Sequence, residues 1–303
     1  MKKTALRSSF LLFLAAFIWG VAFVAQSVGM DYMGPFTFNG ARFLMGSMVL
    51  FPLVIYRRKG KSKESKKFGS RRDTLTGGIC CGLALCCAAL FQQFGIVYTT
   101  VGKAGFITTL YIIIVPIMGI FLKKKVPGKV WIAAVIAAVG MYLLCMSESL
   151  RLSRGDTYVF ICAILFSIHI LVIDYFSPKA DGVELSCLQF LTAGIIGSVL
   201  ALIFERPTLS NFAGGIIPLA YAGIMSSGVA YTLQVIGQKD LDPTVASLIL
   251  SLESVVSMLA GWVILKQALS PRELFGCVLV FAAVILAQLP EKRHSEKEKY
   301  TET

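Results

Sequence analysis

Long apolar blocks, separated by short breaks, dominate the chain from about residue 9 to residue 289. The blocks do not alternate apolar and polar positions as an amphipathic helix or a half-buried strand would. Each holds about 20 residues, which as a helix span the hydrocarbon core of a bilayer. The breaks are rich in Pro, Gly, Asp and Lys, as turns are. The pattern predicts ten transmembrane helices, at 9–28, 34–56, 75–97, 101–122, 129–147, 157–175, 183–204, 213–236, 243–264 and 273–289.

The amino-acid composition indicates that most of the chain lies in a lipid bilayer. Of the 303 residues, 56% are hydrophobic and only 15% are charged, whereas a soluble domain carries roughly a quarter of charged residues. We therefore interpret the chain as an all-α, multi-pass membrane protein. The first block follows Lys2, Lys3 and Arg7, but it is too long for a cleaved signal peptide and lacks a clear cleavage site. We expect it to remain as the first transmembrane helix.

The basic residues determine the predicted orientation. The chain has 29 Lys and Arg against 17 Asp and Glu, and most of the basic residues fall before the first helix and in 57–73, 123–129 and 291–303. With ten helices, all these segments lie on one side of the membrane, which the positive-inside rule identifies as the cytoplasm. Both termini are thus predicted to be cytoplasmic and the protein to lie in the cell membrane. Short basic loops fit an anionic inner leaflet better than a nucleic-acid partner.

The chain resembles itself weakly at a constant offset, which pairs 92–144 with 234–286. Each unit then holds five helices, and because five is odd, two consecutive copies cross the membrane in opposite directions. Such inverted repeats are common in secondary transporters, whose substrate site lies between the halves near the membrane midplane. We predict a first five-helix unit over 1–147, a second over 148–290 and a cytoplasmic tail over 291–303. The matched pairs include Gln92 with Gln234, Gly95 with Gly237, Lys124 with Lys266, Arg42 with Gln189 and Phe43 with Phe190.

Ten helices in a five-plus-five duplication resemble the drug/metabolite transporter superfamily, of the EamA type. The similar segments are 17–24, 38–46, 104–122 and 242–286, and the resemblance extends over about 10–289. It implies a secondary transporter that exports small metabolites such as amino acids by alternating access, with a cavity lined by helices 1–4 and 6–9. The chain departs from the family pattern at two positions. Ser254 stands where the family often has proline after Leu-Glu, and Lys266 stands where it tends to have an acidic residue.

Glu253 is the most informative polar residue, because it lies near the middle of the ninth apolar block. A charge at this depth is costly unless it faces protein or water. Ser257 and Gly261 follow at helical spacing and form a small-residue face suited to helix packing, so Glu253 is predicted to point into the bundle. Two roles are open. Glu253 either binds a substrate amine and exchanges a proton for coupling, or it is a structural carboxylate.

Arg42, in the second block, is the candidate group for binding a substrate carboxylate with a two-pronged guanidinium. Its alternatives are a fixed ion pair with Glu253 and a side chain that reaches the membrane surface. Tyr111 occupies the repeat position of Glu253, and Gln189 occupies that of Arg42. The remaining candidates for the substrate site, each weighed against a packing role, are Trp19, Asn39, Gln92, Gln93, His169 and Gln234.

No sequence motif indicates catalysis or a bound cofactor. A Walker sequence, an H-E-x-x-H motif and a G-x-S-x-G elbow are all absent. The eight cysteines lie in apolar blocks as packing residues, and His169 has no second ligand nearby in sequence, so no metal is predicted. The predicted partners are a small-molecule metabolite, the lipid bilayer and, if Glu253 couples transport, protons. A lipid flippase or scramblase and an intramembrane lipid-modifying enzyme are the alternative functions.

Overall fold

A computed structural model shows an all-helical bundle and describes residues 2–59, 70–99, 101–124, 126–145, 153–265 and 270–289. Within these ranges, eight helices are long and apolar enough to cross a membrane, and two shorter apolar helices occupy Gly128–Leu143 and Leu274–Ala287. The eight lie in the first four and in the sixth to ninth predicted blocks. Large apolar side chains such as Phe51, Leu202 and Ile285 are exposed on the bundle surface, as lipid contact requires. The predicted all-α membrane class is confirmed. Lys266 and the predicted tail lie outside the described residues.

The described part of the first half contains six helices. Helix α3 begins after Ser70, whose hydroxyl accepts a hydrogen bond from the Arg72 N–H at 3.2 Å and so caps the helix. Helix α2 continues through Pro52. The bounds are α1 Lys2–Gly29, α2 Pro35–Lys59, α3 Arg71–Tyr98, α4 Val101–Thr109, α5 Tyr111–Phe121 and α6 Gly128–Cys145.

The second half begins with a capping box, in which Ser153 and Asp156 satisfy each other's backbone N–H groups. Asp181 and Asp242 cap the helices that follow them through their carboxylates, which accept hydrogen bonds from backbone N–H groups of the first turn. A π-helical segment interrupts the eighth predicted block, which nevertheless runs on as one apolar helix over Ile216–Gln238. The bounds are α7 Arg154–Phe176, α8 Gly182–Phe204, α9 Leu209–Gly214, α10 Ile216–Ala220, the π-helical segment Tyr221–Tyr231, α11 Thr232–Gln238, α12 Pro243–Leu250, α13 Leu252–Leu265 and α14 Pro271–Gln288.

Two blocks predicted as single helices contain a break near their middle. Helix α4 gives way to α5 at Leu110, and α12 gives way to α13 at Ser251. At each junction the backbone tightens, with Leu110 N–H bonded to Ile107 C=O at 3.2 Å and Ser254 N–H bonded to Ser251 C=O at 3.1 Å. The two breaks fall at nearly matching positions of the predicted repeat.

The closest packing joins helices of opposite halves. Helix α2 runs along α8, α6 runs along α14, and the broken helices meet as α4 against α13 and α5 against α12. Small residues permit this approach. A Cβ added to Gly40 on α2 would lie 2.6 Å from the Ser198 backbone nitrogen on α8. In lipid, such van der Waals contact is a main driving force for helix association.

Candidate functional site

A narrow cavity lies where the helices of the two halves meet. The space that the centre of a water molecule can reach is about 30 Å³, which is room for about two waters. Both broken helices, α4/α5 and α12/α13, contribute to its wall. The lining residues are Trp19, Phe23, Gln26, Arg42, Gln92, Thr108, Tyr111, Phe166, Ile170, Ser226, Tyr231, Gln234, Leu250 and Glu253.

Glu253 lies in the first turn of α13 and is buried. The positive end of a helix dipole stabilises a carboxylate at this position. The Tyr111 hydroxyl, at the start of α5, donates a hydrogen bond to Glu253 Oε1 at 2.9 Å. Two residues at matching positions of the predicted repeat therefore contact each other, and this contact joins the two broken helices.

Arg42 is 1% exposed and is held by side chains of α1 and α2. Its Nε donates to Asn39 Oδ1 at 2.9 Å, and its Nη1 donates to Gln26 Oε1 at 3.1 Å. The guanidinium carbon lies 4.6 Å from the centre of the Phe43 ring, within cation–π distance. Nη2 has no protein partner. A buried charged group with an unmade hydrogen bond is costly, so Nη2 is the atom best prepared to bind a ligand.

Arg42 and Glu253 line the same cavity without forming an ion pair. Ion pairs between described residues include Arg57–Asp181, Arg58–Glu184 and Lys124–Asp174, and none joins Arg42 to Glu253. The alternative of a fixed Arg42–Glu253 pair is therefore wrong in this conformation. The alternative that Arg42 reaches the membrane surface is wrong as well, because its side chain is buried. The cavity thus contains a cation and a carboxylate that do not neutralise each other directly.

Six of the predicted site residues line the cavity, and the structure directs the other four elsewhere. Asn39 holds Arg42 from behind and donates to Pro35 C=O at 3.0 Å. Gln93 donates to Gln26 C=O at 3.1 Å. His169 and Gln189 pair with each other at 3.1 Å. The sequence analysis did not separate these four from the lining residues, because hydropathy indicates how deep a residue lies in the membrane but not which way its helix is rotated. The six in the lining are Trp19, Arg42, Gln92, Tyr111, Gln234 and Glu253.

Two buried amides in the lining bond to side chains in the same half. Gln92 donates to the Thr108 hydroxyl at 3.3 Å, and Gln234 donates to Gln238 Oε1 at 3.4 Å. The Oε1 atom of Gln234 has no protein partner. Both amides therefore contribute polar surface without adding charge.

The sequence analysis missed several lining residues. Gln26 is a polar residue in the first apolar block and meets the criterion that selected Gln92, so it could have been found. Ser226 and Tyr231 lie in the π-helical segment, for which the sequence showed no signal. Trp19 Nε1 donates to Ser226 C=O at 3.2 Å, and its ring lies 4.5 Å from that of Tyr231. Helix α8, predicted to line the cavity, contributes none of the lining residues.

A helical bundle with apolar side chains on its surface, a buried arginine and a buried glutamate lining one internal cavity and broken helices at its centre is typical of solute-transporting membrane proteins. Comparison with known proteins agrees with this class. Residues 6–146 and 153–289 match the EamA-like transporter family. The chain belongs to the EamA-like transporter family, and the predicted resemblance is confirmed.

Several relatives that align with nearly the whole chain are named as transporters. An uncharacterized transporter of Archaeoglobus fulgidus is 29% identical over 277 residues, which cover 91% of this chain and 84% of the relative. The uncharacterized transporter YoaV of Bacillus subtilis is 20% identical and covers 89% of this chain and 92% of its own length. A WAT1-related chloroplastic protein of Arabidopsis thaliana is 20% identical, over 91% of this chain and 68% of that protein. The names indicate a membrane transporter and not an enzyme.

A solved crystal structure has the same fold. It superposes with a TM-score of 0.75 at 18% sequence identity and covers 93% of this chain and 96% of its own. At this identity, the likeness concerns the fold alone.

Proposed function

We propose that the protein is a secondary transporter that moves a small metabolite across the cell membrane by alternating access. The observation that carries the proposal is the cavity between the halves, in which Arg42 and Glu253 are both buried and not paired with each other. Buried charges are expensive in a membrane protein and usually mark a solute or ion pathway. A solute that carries the complementary charges would offset part of that cost.

The substrate class that best matches the cavity is an amino acid. Its carboxylate would bind the unpaired Nη2 of Arg42, and its ammonium would bind Glu253. The rings of Trp19 and Tyr231 would pack against the side chain of the amino acid. Export is the proposed direction, because the family resemblance implies it.

The proposed architecture has ten transmembrane helices in two inverted five-helix units, 1–147 and 148–290, followed by the tail. Three observations support it. Two shorter apolar helices, α6 and α14, stand where the fifth and tenth crossings would be, the family matches the chain twice, and α2 packs with α8 and α6 with α14. Both termini would then be cytoplasmic, as would the basic loops.

Transport would proceed by separating the broken helices at one end of the cavity while they stay closed at the other. Helix α5 contacts α12 and α4 contacts α13, where a Cβ on Gly105 would lie 3.2 Å from the Ser257 hydroxyl. A cavity with room for about two waters must widen before an amino acid can enter. The described conformation therefore corresponds to a step of the proposed cycle in which the cavity is too narrow for an amino acid.

Proton coupling would use Glu253. The carboxylate can bind either a proton or the substrate ammonium, and competition between the two would couple export to proton entry. The hydrogen bond from Tyr111 would orient Oε1 for this exchange.

Flux in proteoliposomes tests the proposal. Each standard amino acid is loaded in radiolabelled form, and its movement is followed with and without a proton gradient for wild type, Arg42→Ala and Glu253→Gln. We expect saturable flux of at least one amino acid, a strong loss in Arg42→Ala and a loss of gradient dependence in Glu253→Gln. Arg58→Ala and Glu184→Gln are matched controls, because these residues form an ion pair outside the cavity lining.

Two outcomes would contradict parts of this proposal. Flux that is unchanged in both cavity variants would remove Arg42 and Glu253 from the mechanism. Absence of flux for every amino acid, with folded protein in the vesicles, would exclude the proposed substrate class.

A further inference from the structure

Matching positions of the two halves meet at a pair of phenylalanines. The rings of Phe43 on α2 and Phe190 on α8 lie nearly parallel, with centroids 6.2 Å apart and planes 5° apart. Both rings also pack against Tyr231, at 6.4 and 6.0 Å. The residue before Phe43 is Arg42, and the residue before Phe190 is Gln189. The stack therefore brings Arg42 and Gln189 to equivalent places at the interface between the halves.

The partners of Arg42 and Gln189 match as well. Phe23 on α1 and Phe166 on α7 both line the cavity, and three residues after them come Gln26 and His169. Gln26 accepts a hydrogen bond from Arg42 at 3.1 Å, and His169 Nε2 lies 3.1 Å from Gln189 Oε1. Each half thus forms a buried side-chain pair from the same two positions. The pair in the first half is charged and the pair in the second half is neutral.

The neutral pair has unused hydrogen-bonding capacity. His169 and Gln189 are both 0% exposed, and neither His169 Nδ1 nor Gln189 Nε2 has a protein partner. If the neutral imidazole donates from Nε2, its Nδ1 is an acceptor and the free amide nitrogen is a donor. The opposite amide orientation exchanges these two roles. In either case the pair has one donor and one acceptor unused, which is costly at a buried site.

We propose that His169 and Gln189 form a second polar subsite of the transport pathway, exposed at the opposite membrane face from Arg42 and Gln26. It would bind an uncharged group that both donates and accepts hydrogen bonds, such as a hydroxyl or an amide. The inference rests on the proposed function, because it requires the halves to exchange conformations. The cavity now reaches Arg42 and Gln26 and stops short of His169 and Gln189. Exchange between inverted halves reverses that difference.

The consequence is an electrostatic difference between the two membrane faces. A solute meets a guanidinium when the cavity includes the first pair and meets a neutral imidazole and amide in its place when the cavity includes the second. Its anionic group is therefore held more tightly in one state than in the other. Such a difference favours release at the face where the neutral pair is exposed.

Thiol labelling in oriented membranes tests this assignment. Gln26→Cys and Gln189→Cys are introduced separately into a chain whose eight native cysteines have been replaced. A membrane-impermeant methanethiosulfonate is then applied to right-side-out and to inside-out vesicles. We expect the two cysteines to react from opposite faces, each at least about tenfold faster from its own face, as for states of unequal population. Ala133→Cys, buried on α6 and absent from the cavity lining, is the control expected to react from neither face.

A second measurement leaves the subsite itself unaltered. The chain has two histidines, His169 and His294, so in the His294→Ala variant His169 is the only histidine. Diethyl pyrocarbonate modifies neutral imidazole, and mass spectrometry detects the product. We expect His169 to be modified slowly in folded protein in membranes, because it is exposed in only one state of the cycle. Modification only after unfolding would contradict the proposal, even if Gln189→Cys failed to fold.

The labelling outcomes separate this inference from the proposed function, because no solute is needed. If the two cysteines are labelled from opposite faces but no amino acid is transported, only the proposed substrate class is excluded. Two other outcomes would exclude only the second subsite, provided that an amino acid is transported. In the first, Gln189→Cys is folded but is labelled from neither face. In the second, both cysteines are labelled from the same face.

Discussion

The two halves of the molecule carry the same residues at several packing positions and different residues at the ionisable positions of the cavity. Phe43 and Phe190 stack on each other, and Gly95 and Gly237 both allow close helix contacts. At the charged positions the halves differ. Arg42 matches the neutral Gln189, and Glu253 matches Tyr111. Each half therefore contributes one ionisable side chain to a shared cavity, and the comparison indicates that the halves differ mainly at these positions of the predicted repeat.

The largest expected effect comes from giving the first half the residue of the second. Arg42→Gln removes the cavity's guanidinium while keeping a side chain that can bond to Asn39. A charge-assisted hydrogen bond contributes about 1.5–3 kcal/mol, so we expect the initial rate of transport to fall by about 10- to 100-fold. The rate is measured in proteoliposomes below saturation, with Arg58→Gln as control. A rate within about twofold of wild type would show that the charge at this position is unnecessary.

The next largest effect concerns Glu253, and it is tested by changing Tyr111, the neutral residue at the matching position. Tyr111→Phe removes the hydroxyl that donates to Glu253 and leaves the packing of the ring unchanged. We expect transport to slow by about tenfold, because the carboxylate loses a hydrogen bond worth more than a neutral one. Tyr142→Phe, at an exposed position on α6, is the matched control. Equal transport rates for Tyr111→Phe and Tyr142→Phe would mean that the hydrogen bond to Glu253 does not contribute to transport.

The packing positions predict a smaller effect, on stability, that differs between the halves. A Cβ on Gly95 would lie 2.3 Å from Val159 Cγ2, whereas a Cβ on Gly237 would come no closer than 3.0 Å, to Ser8 C=O. We expect Gly95→Ala to lower the free energy of unfolding by about 1–3 kcal/mol through overpacking. Gly237→Ala should change it by less than about 1 kcal/mol, because the higher helix propensity of alanine offsets the strain.

Denaturant unfolding in detergent micelles measures both glycine variants. Gly128→Ala is the control, because a Cβ there would meet nothing within 4 Å. Equal losses for Gly95→Ala and Gly237→Ala would mean that the two contacts are more alike than their distances indicate.

The smallest effect concerns an ion pair that joins the halves outside the cavity. Lys124 follows α5 and pairs with Asp174 on α7, and their side chains are 33% and 20% exposed. Partly exposed pairs contribute about 0–1 kcal/mol. A double-mutant cycle of Lys124→Met and Asp174→Asn should give a coupling energy below about 1 kcal/mol that weakens with salt. A coupling above about 2 kcal/mol that is insensitive to salt would indicate a buried pair that holds the halves together.

Much of the fold, but less of the site, could be predicted from the sequence. Eight of the ten predicted blocks coincide with membrane-length helices, because a backbone in lipid must satisfy its own hydrogen bonds. The inward orientation of Glu253 followed from the same cost, whereas for Arg42 a side chain that reaches the membrane surface was left open as an alternative. His169 and Gln189 satisfied the same criterion and yet lie outside the cavity lining. The breaks at Leu110 and Ser251 escaped prediction, because hydroxyls and tertiary contacts bend these helices without Pro or Gly at the junction.

From the sequence alone came the class of the protein, the approximate position of its helices and the inward orientation of Glu253. These properties follow from the free energy of placing each residue in a bilayer, which depends mainly on residue type and depth. Only the tertiary structure decided that Tyr111 bonds to Glu253, that Arg42 retains a free nitrogen and that His169 pairs with Gln189. Those contacts depend on how each helix is rotated and how closely it approaches its neighbours. Small residues such as Gly40 and Gly95 set that approach through packing over a few ångströms, which hydropathy does not record.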